Sequence, residues 1–277
     1  AMRSDLDREA YLQARMPATS AAVASALRYC DTRGVSSLLD LGCGPGSALW
    51  AAVERCSLAK ITAVDGDADL LRLGRELAAT SPDLADVAWK QADLRHLPDV
   101  EAHDLVILSY ALNELPPDEA DAVIDRAWTA CASSLLLIEP GSRAGAAVVR
   151  RARERLIAAG AHVRAPCTHH EACPLNGESW CHFPVRLARS RIHRQAKGGN
   201  RNWEDEPFAF ILVQRAETVR AGGRIIGDPR HDAAGIDLDC CSVHGFSTRR
   251  VGRNHPAFSR ARRTCLLYTS PSPRDRQ

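Results

Sequence analysis

The sequence contains no long apolar run. None of its stretches approaches the roughly 18 to 20 uninterrupted apolar residues that a membrane-spanning helix needs, so we expect no membrane partner. The first residues do not form a secretory signal, and Asp5, Asp7 and Glu9 argue against an acid-poor transit peptide. These absences predict a cytoplasmic protein.

Aromatic residues are also scarce, since Phe, Trp and Tyr together make up 5% of the chain. Modules that bind single-stranded nucleic acid stack bases on aromatic side chains, so this composition disfavours that mode. A secreted disulfide framework is disfavoured as well, because the ten cysteines occur without secretory targeting. We interpret these cysteines as reduced thiols and metal ligands.

The chain has 277 residues, of which 45% are hydrophobic and 25% charged, as expected of a globular protein with one large core or two smaller ones. Its net charge of +2 conceals an asymmetry. Residues 1–142 carry 12 basic and 22 acidic side chains, whereas residues 143–263 carry 22 basic and 11 acidic ones. A surface that binds an acidic partner is therefore expected in the second half.

Short apolar runs alternate with amphipathic stretches from Val35 to Glu139, a pattern typical of a parallel sheet covered by helices. It predicts strands near Ser36–Asp40, Lys60–Val64, Val87–Ala92, Asp104–Ser109, Ser134–Glu139, His162–Ala165 and Phe208–Gln214. Helices are predicted over Ala48–Arg55, Ala68–Ala79, Pro117–Ala130 and Ala144–Ala159. The chain beyond Glu217 is basic and rich in Gly and β-branched residues, which predicts a small β-rich appendage.

A glycine-rich loop follows the first predicted strand in the sequence LLDLGCGPG. Gly42, Gly44 and Gly46 allow a tight turn and a close approach of the backbone to a ligand. With Asp40 at the strand end, the spacing resembles motif I of class I S-adenosylmethionine-dependent methyltransferases. In that superfamily the acids after the second and third strands, here Asp65 and Asp93, bind the ribose hydroxyls and the adenine amino group. The alternative is a nucleotide-type fold that has lost its ligand.

The edge where methyl acceptors lie in that superfamily is occupied here by the sequence SYALNELPP. Tyr110, Asn113 and Glu114 are the candidate catalytic residues, and the alternative is a loop that packs against and caps the next helix. The motif is not of the N-P-P-Y type, and no paired catalytic cysteines indicate a cytosine C5 enzyme. Methyl transfer requires mainly an oriented nucleophile, so the lack of an evident acid or base does not exclude it.

Three cysteines, Cys167, Cys173 and Cys181, have the spacing C-x5-C-x7-C, and Cys240 and Cys241 follow some sixty residues later. Such a group suggests an iron–sulfur or other metal site. Zinc would use thiolates tetrahedrally, and His169, His170 or His182 is an alternative to one of them. The paired C-x2-C knuckles usual for zinc are absent. A third interpretation is that the thiols are buried and bind no metal.

Several segments together resemble one family, the methyltransferase-like assembly factors of the small ribosomal subunit, mitochondrial in eukaryotes and present in bacteria. The resemblance extends from about Tyr11 to Arg263, and its motifs are RMPATSAAV at Arg15–Val23, LDLGCGPG, SYALNELP, LLLIEPG at Leu135–Gly141, APC…CPL…WCHF, RSRIHRQAKGG and EDEPFAFILVQR. It implies an α/β class I methyltransferase (Rossmann-like) fold, binding to the small subunit or its precursor, and a 4Fe-4S cluster held by four cysteines.

Transferred position by position, the first three family cysteines fall on Cys167, Cys173 and Cys181. The fourth lies in an L-D-x-C segment before a Gly turn, which IDLDCCSVHG places at Cys241. Adjacent residues of a strand point to opposite faces, so we expect only one of Cys240 and Cys241 to reach a cluster. Cys30, Cys43, Cys56 and Cys131 are interpreted as small apolar fillers.

The predicted organisation has six parts. Residues 1–34 form an N-terminal helical segment, 35–166 the methyltransferase-like domain, 167–206 a cysteine-rich basic insertion, 207–216 the last sheet strand and 217–263 a basic appendage with the fourth cysteine. Residues 264–277, which depart from the family pattern and resemble translated adapter sequence, are expected to be an artefactual disordered tail.

Basic residues cluster next to the cysteines, and such clusters bind phosphates without reading sequence. With the resemblance they predict contact with folded ribosomal RNA, while the alternative is a solvated face or charges neutralised by Glu204, Asp205 and Glu206. The first cluster comprises Arg186, Arg189, Arg191, Arg194, Lys197 and Arg201, and the second comprises Arg249, Arg250, Arg253, Arg260, Arg262 and Arg263.

Three functional hypotheses follow. The first is an RNA-binding assembly factor, monomeric off the ribosome, that keeps an S-adenosylmethionine site and a structural cluster. A second is an active methyltransferase of ribosomal RNA or a ribosomal protein. The third is a redox or iron sensor in which loss of the cluster releases RNA.

Overall fold

A computed structural model describes residues 11–175, 180–189, 202–217, 221–226 and 229–259. Its centre is an eight-stranded sheet in which strand order is β3-β2-β1-β4-β5-β8-β6, with β7 also paired to β8. The strands are β1 Ser37–Leu41, β2 Lys60–Asp65, β3 Ala88–Gln91, β4 His103–Ser109, β5 Cys131–Pro140, β6 His162–Ala165, β7 Phe183–Ala188 and β8 Trp203–Gln214.

The first five strands pair in parallel, and β8 is antiparallel to β5 and β6, between which it lies. Parallel strands covered on both faces are continuous apolar runs, which is why ILS and LLLI segments could be recognised as strands. A parallel sheet with one antiparallel strand inserted before its last strand is the arrangement of class I methyltransferases. The predicted fold class is confirmed.

Helices cover both faces of this sheet, and the cores on the two faces contain different residues of the same strands. The helices are α1 Met16–Leu27, α2 Ser47–Val53, α3 Ala68–Ala78, α4 Pro117–Thr129 and α5 Arg143–Ala158. Asp67 caps α3 by accepting hydrogen bonds from the backbone N–H groups of Asp69 and Leu70. Leu71, Gly74 and Ala78, spaced three and four residues apart, form its buried face. Single turns of other helix types lie at Tyr11–Arg15, Pro82–Leu84, Leu94–His96 and Leu112–Glu114.

Part of the segment predicted as a cysteine-rich basic insertion, residues 167–206, belongs to the main sheet. The second part of this segment contains β7, which pairs with the first half of β8 from Phe183↔Phe208 to Ala188↔Trp203. The last strand therefore begins at Trp203 rather than at Phe208. The polar residues Glu204 and Asp205 hid this start, because their charges are matched by Arg186 of β7 and by Arg189 just after β7, and not by an apolar core.

The predicted β-rich appendage is present as a second sheet of four strands, β9 Gly223–Ile225, β10 Arg230–His231, β11 Gly235–Ser242 and β12 Gly245–Gly252. Ile236 and Leu238 form its small core, against which Cys240 packs. Arg224 connects the appendage to the main domain, because its Nε donates to the Pro166 carbonyl and its guanidinium lies 4.9 Å from the Tyr29 ring centroid.

Among the residues the structure describes, no helix has the length and apolar character needed to cross a membrane. The predicted tail at 264–277 lies outside the described residues.

Candidate functional site

The glycine-rich loop connects β1 to α2 at the carboxyl edge of the sheet. Gly42, Gly44 and Gly46 all have positive φ, at 73°, 51° and 85°. The N–H groups of Gly42 and Cys43 both donate to the Val64 carbonyl, at 2.8 and 3.0 Å, which holds the loop against β2. A Cβ on Gly42 would lie 2.6 Å from the Ala111 Cβ, so this position requires glycine for space as well as for φ.

The Asp40 side chain is fully buried at the end of β1. Neither carboxylate oxygen has a hydrogen-bond partner among the described residues. Burial, with a smaller contribution from the Asp65 charge, raises the pKa of Asp40 to about 8. A buried carboxyl without a partner is costly in a folded protein, so this group is suited to receive a donor or a cation from a ligand.

A cleft of about 1070 Å³ opens above the loop, and its lining includes Gly42, Gly44, Asp65 and Asp93. Asp65 Oδ2 accepts from the Gly44 N–H at 2.7 Å, and Oδ1 accepts from the Asp67 N–H at 2.9 Å. Burial raises the pKa of Asp65 despite these hydrogen bonds. Loop and acid are thereby held in one arrangement before any ligand binds.

Asp93 lies in the same cleft but is already engaged. Its carboxylate accepts from the backbone N–H of Arg95 at 2.9 Å and from the Arg95 guanidinium at 2.6 to 3.0 Å. These bonds lower the pKa of Asp93 to about 2. An Asp93 that binds an adenine amino group would have to share its oxygens with Arg95.

The candidate catalytic residues Tyr110, Asn113 and Glu114 also line the cleft. Tyr110 has φ of 58°, a left-handed conformation that is strained in a residue other than glycine and is often found at functional sites. Asn113 donates from Nδ2 to Glu139 Oε2 at 2.6 Å, and Glu139 Oε1 accepts from the Leu112 N–H at 2.9 Å. Glu114 also lines the cleft and is exposed.

Glu139 is a buried acid that the sequence analysis did not identify as a site residue. Burial raises its pKa to about 7, although the hydrogen bonds from Asn113 and Leu112 oppose the rise. It ends β5 as Asp40 ends β1, so the same strand-end position could have identified it.

Two residues of the N-terminal segment also lie in the cleft and were not predicted. The Tyr11 hydroxyl is 3.4 Å from the position that a Cβ on Gly44 would take. Arg15 lies over the Tyr110 ring at 5.2 Å, and its Nη1 is 3.4 Å from Glu206 Oε1. The segment 11–15 therefore lies against both the glycine-rich loop and Tyr110.

The cysteines form a second candidate site. Cys167, Cys173 and Cys181 line a cavity of about 330 Å³ together with residues of α5 and β8. Burial raises the pKa of Cys181, and the neighbouring thiols of Cys167, Cys173 and Cys241 raise it further. Three thiols therefore share one cavity, and Cys241 of β11 is near enough to influence Cys181.

Of the two adjacent cysteines on β11, Cys241 is the one near the other three. Burial and then Cys167 and Cys173 raise its pKa to about 11, and its Sγ is 3.7 Å from His169 Nε2. The Cys240 thiol lies on the opposite face, next to the Leu238 carbonyl at 3.6 Å. Within the described ranges, no set of three or more Cys, His, Asp or Glu is close enough to form a finished metal site.

The predicted RNA-binding arginines are only partly described. Arg186 donates to Asp205 at 2.8 and 3.0 Å, and Arg189 donates to Glu204 at 2.6 and 3.1 Å. For these two residues the neutralised arrangement is the one observed. Arg191, Arg194, Lys197 and Arg201, together with Arg260, Arg262 and Arg263, lie outside the described residues.

In the appendage, Arg250 is paired with Asp232 and Asp237 at 2.5 and 3.0 Å. Arg249 and Arg253 are exposed to solvent. Val243 and Phe246, 56% and 45% exposed, lie at the turn between β11 and β12. The described part of the basic half is therefore a mixture of paired and solvated cations.

The chain is similar to known proteins in two different ways. Over short stretches it resembles small-molecule methyltransferases: it is 36% identical over 81 residues to trans-aconitate 2-methyltransferase of Azoarcus sp. strain BH72, covering 29% of this chain and 30% of that protein. Among solved structures, magnesium protoporphyrin IX methyltransferase of Synechocystis PCC 6803 with bound S-adenosylmethionine matches with a TM-score of 0.46 and 17% identity, over 78% of this chain and 86% of that one.

Over most of its length the chain resembles a different protein. It is 28% identical over 279 residues to the mitochondrial ribosome assembly protein METTL17 of Homo sapiens, which covers 88% of this chain and 58% of the human protein. The chain thus spans little more than half the length of that relative. A family model described as mitochondrial small ribosomal subunit Rsm22 matches residues 5–265. The chain therefore belongs to the Rsm22 family.

Proposed function

We propose that this chain assists assembly of the small ribosomal subunit by binding ribosomal RNA, with S-adenosylmethionine in the glycine-loop cleft and a 4Fe-4S cluster at the four cysteines. The match to the Rsm22 family over residues 5–265 carries the ribosomal part of the proposal. The human relative METTL17 is a ribosome assembly protein, which agrees with this part of the proposal. The excess of basic residues in 143–263 supplies the charge that an RNA partner requires.

The ribosomal role is tested by sedimentation of the purified protein with small-subunit precursor particles. Binding should weaken steeply with added salt, since phosphate contacts release counterions. Replacing Arg249 and Arg253 by Gln should weaken it further, whereas replacing Arg151 and Arg155, which are ion-paired to acids of α4, should change it little. Equal binding to an unrelated RNA of the same length would contradict a ribosomal target.

The cofactor proposal is supported by the fit of the cleft to a cationic nucleoside. S-adenosylmethionine supplies a methyl group on a positively charged sulfonium. Asp40 would stabilise positive charge or hydrogen-bond donors near the loop, Asp65 would accept from ribose hydroxyls, and the positive-φ glycines let the backbone approach. The orphaned Asp40 carboxylate is the observation that carries this part.

Calorimetric titration tests the cofactor site. Asp65→Ala should weaken S-adenosylmethionine binding by about 10-fold or more, since the hydroxyls would lose a charged acceptor. Asp69→Asn, an exposed substitution on α3, is the matched control and should bind as the native chain does. Lack of binding by the native chain would refute the cofactor site and leave the RNA role unaffected.

Methyl transfer is a second candidate function, favoured by the strained Tyr110 and by the Asn113–Glu139 pair beside the cleft. Asn113, held by Glu139, would orient an acceptor, since transfer depends mainly on placing a nucleophile near the sulfonium. The test is incorporation of a labelled methyl group into small-subunit particles. Asn113→Ala should abolish incorporation while S-adenosylmethionine binding persists; absence of incorporation by the native chain would leave assembly without catalysis.

The cluster proposal is carried by the convergence of four thiols from 167–181 and from β11. Iron–sulfur clusters require thiolate ligands, and ligands far apart in sequence would join the cysteine segment to the appendage. Anaerobically purified protein should contain iron and sulfide and absorb in the visible range. Cys241→Ser should lose both, whereas Cys240→Ser, the adjacent residue on the opposite face, should retain them. Zinc without sulfide would replace the cluster by a zinc site of the same ligands.

A further inference from the structure

Arg153 is the one Lys or Arg among the described residues that the fold buries completely, with 3% of its surface exposed. It lies on α5, where Val149, Arg153 and Leu156 have the four- and three-residue spacing of a buried helix face. Its side chain lines the cavity that Cys167, Cys173 and Cys181 also line. A buried cation is expensive unless negative charge or acceptors surround it, so its surroundings must explain its presence.

The guanidinium is only partly satisfied by hydrogen bonds. Its Nη2 donates to the carbonyl oxygens of His169 and Glu171, at 2.8 and 2.7 Å. These two residues lie between Cys167 and Cys173, so Arg153 holds the loop that carries both cysteines. Its Nε is buried and has no hydrogen-bond partner among the described residues. The Arg153 side chain also interacts with the thiol of Cys167, which lines the same cavity.

The thiols around the cavity carry matching electrostatics. Burial raises the pKa of Cys167, and the Arg153 guanidinium opposes this rise. Arg224, from the appendage, acts in the same direction on Cys167, Cys181 and Cys241. Arg153 of α5 and Arg224 of β9 therefore both approach the thiols, and no carboxylate is among the described residues that line the cavity. A metal or cluster ligated by four thiolates carries net negative charge, which this arrangement suits.

We propose that Arg153 is a positioning residue of the cysteine site: it holds the Cys167–Cys173 loop in the shape that binds the metal group and compensates the negative charge of the thiolate-ligated group. This role rests on the proposed metal site. It assigns two separable tasks to one side chain. The hydrogen bonds to the loop keep the group bound, and the positive charge raises the reduction potential, because a nearby cation favours the more negative, reduced state.

The experiment compares Arg153→Met and Arg153→Lys with the matched control Arg151→Met, which removes the same charge from the solvent side of α5. Each protein is purified anaerobically and assayed for metal, visible absorption, rate of metal loss to a chelator, and reduction potential. Arg153→Met should bind the metal group about 10- to 100-fold less tightly, as is typical when a residue supporting a metal ligand is removed. Any cluster it retains should have a more negative potential. Arg151→Met should match the native chain in all assays.

Arg153→Lys separates the two tasks and also covers the case in which Arg153→Met does not fold. It keeps the charge and loses the two-carbonyl fork, so the potential should stay near that of the native chain while metal is lost faster. Native-like metal retention and potential in both Arg153 variants would overturn the role of Arg153 and leave the metal site intact. A native chain without metal whose cysteine variants change nothing would overturn the metal site and this role together.

Discussion

The two regions of the molecule each bury an ionisable side chain, an acid in one and a base in the other. Asp40 lies at the end of β1 next to the glycine loop, and its carboxyl is enclosed with no hydrogen-bond partner among the described residues. The cysteine cavity is lined by Arg153, whose guanidinium donates to backbone carbonyls, and no carboxylate is among the described residues that line that cavity. Both arrangements cost stability in the absence of a counterpart. Under the proposed function, the first region would receive the cationic S-adenosylmethionine and the second an anionic metal group.

The two regions also differ in which parts of the chain form the site. In the cleft, consecutive residues of one loop and the ends of neighbouring strands form the surface, so the site is local to the carboxyl edge of the sheet. In the cysteine region, the groups come from α5, from the segment between β6 and β7, and from β11. A ligand of the first region binds an existing surface, whereas a ligand of the second would tie separate elements together.

The largest effect should follow removal of metal from the cysteine region. Chelation should lower the stability of the appendage by several kcal/mol, because a ligand that binds only the folded site adds its binding free energy to stability. Hydrogen exchange should become faster across β9 to β12 and stay unchanged across β1 and β2. If chelator changes hydrogen exchange equally in the two regions, or in neither, the prediction that metal stabilises only the appendage is wrong.

The next effect concerns the buried acid of the cleft. The folded-state pKa of Asp40, about 8, is above its ordinary 3.8, so the folded chain keeps a proton that the unfolded chain releases. This contribution to stability is complete below about pH 4 and is lost as pH rises towards about 8. Asp40→Asn cannot ionise. At about pH 8 the free energy of unfolding of the ligand-free variant should therefore be higher than that of the native chain, by an amount on the order of a few kcal/mol.

Urea unfolding at about pH 4 and about pH 8, together with S-adenosylmethionine titration, checks this prediction. Asp40→Asn should gain stability and lose cofactor affinity, a combination expected only of a group kept for a ligand. Asp69→Asn, which is exposed, should change neither quantity. A variant less stable than the native chain at about pH 8 would show that the Asp40 carboxylate has a partner in the folded protein.

A smaller effect should follow Gly42→Ala in the loop. The added Cβ would approach Ala111 to 2.6 Å at a φ of 73°, so a loss of about 1–3 kcal/mol is expected together with weaker cofactor binding. Gly34→Ala is the control, because it has a similar φ of 77° and no heavy atom within 4 Å of the added Cβ. The difference between the two variants in thermal unfolding measures crowding alone, and equal losses would mean that φ accounts for the whole effect.

The smallest effect concerns the basic half. Arg186 and Asp205 are 30% and 33% exposed, so breaking their ion pair by Arg186→Ala should cost less than about 1 kcal/mol. If the pair is already neutral, this variant should barely change the salt dependence of RNA binding. Asp205→Asn would release the arginine and should make that dependence steeper. A large loss of binding in Arg186→Ala would show that RNA displaces the aspartate.

Much of the fold could be predicted because buried parallel strands and amphipathic helices have distinct patterns. His162–Ala165 was predicted with its observed bounds, and the four main helices differ from prediction by no more than two residues at either end. β7 was missed because it contains a proline and an arginine and lies at the edge of the sheet. Its pairing with β8 turned two clusters of charge into ion pairs, which depends on register and not on composition.

The sites were predicted where local order determines them and missed where packing does. Asp40, Asp65 and the glycines lie at strand ends and in one loop, so their proximity followed from sequence alone. Tyr11 and Arg15 reach the cleft only because the segment before α1 folds over it. Arg153 is one of several arginines on α5, and the apolar periodicity shared with Val149 and Leu156 was the signal that could have distinguished it.

The position of β8 also determines the order in which the molecule can be completed. β5 and β6 are not neighbours in the sheet, because β8, which begins almost forty residues after β6, lies between them and pairs with both. During synthesis, the apolar edge of β5 therefore has no partner strand until the cysteine segment, β7 and β8 have been translated. Such an edge can pair with other chains, so a chain ending before Trp203 should aggregate rather than form a smaller stable domain.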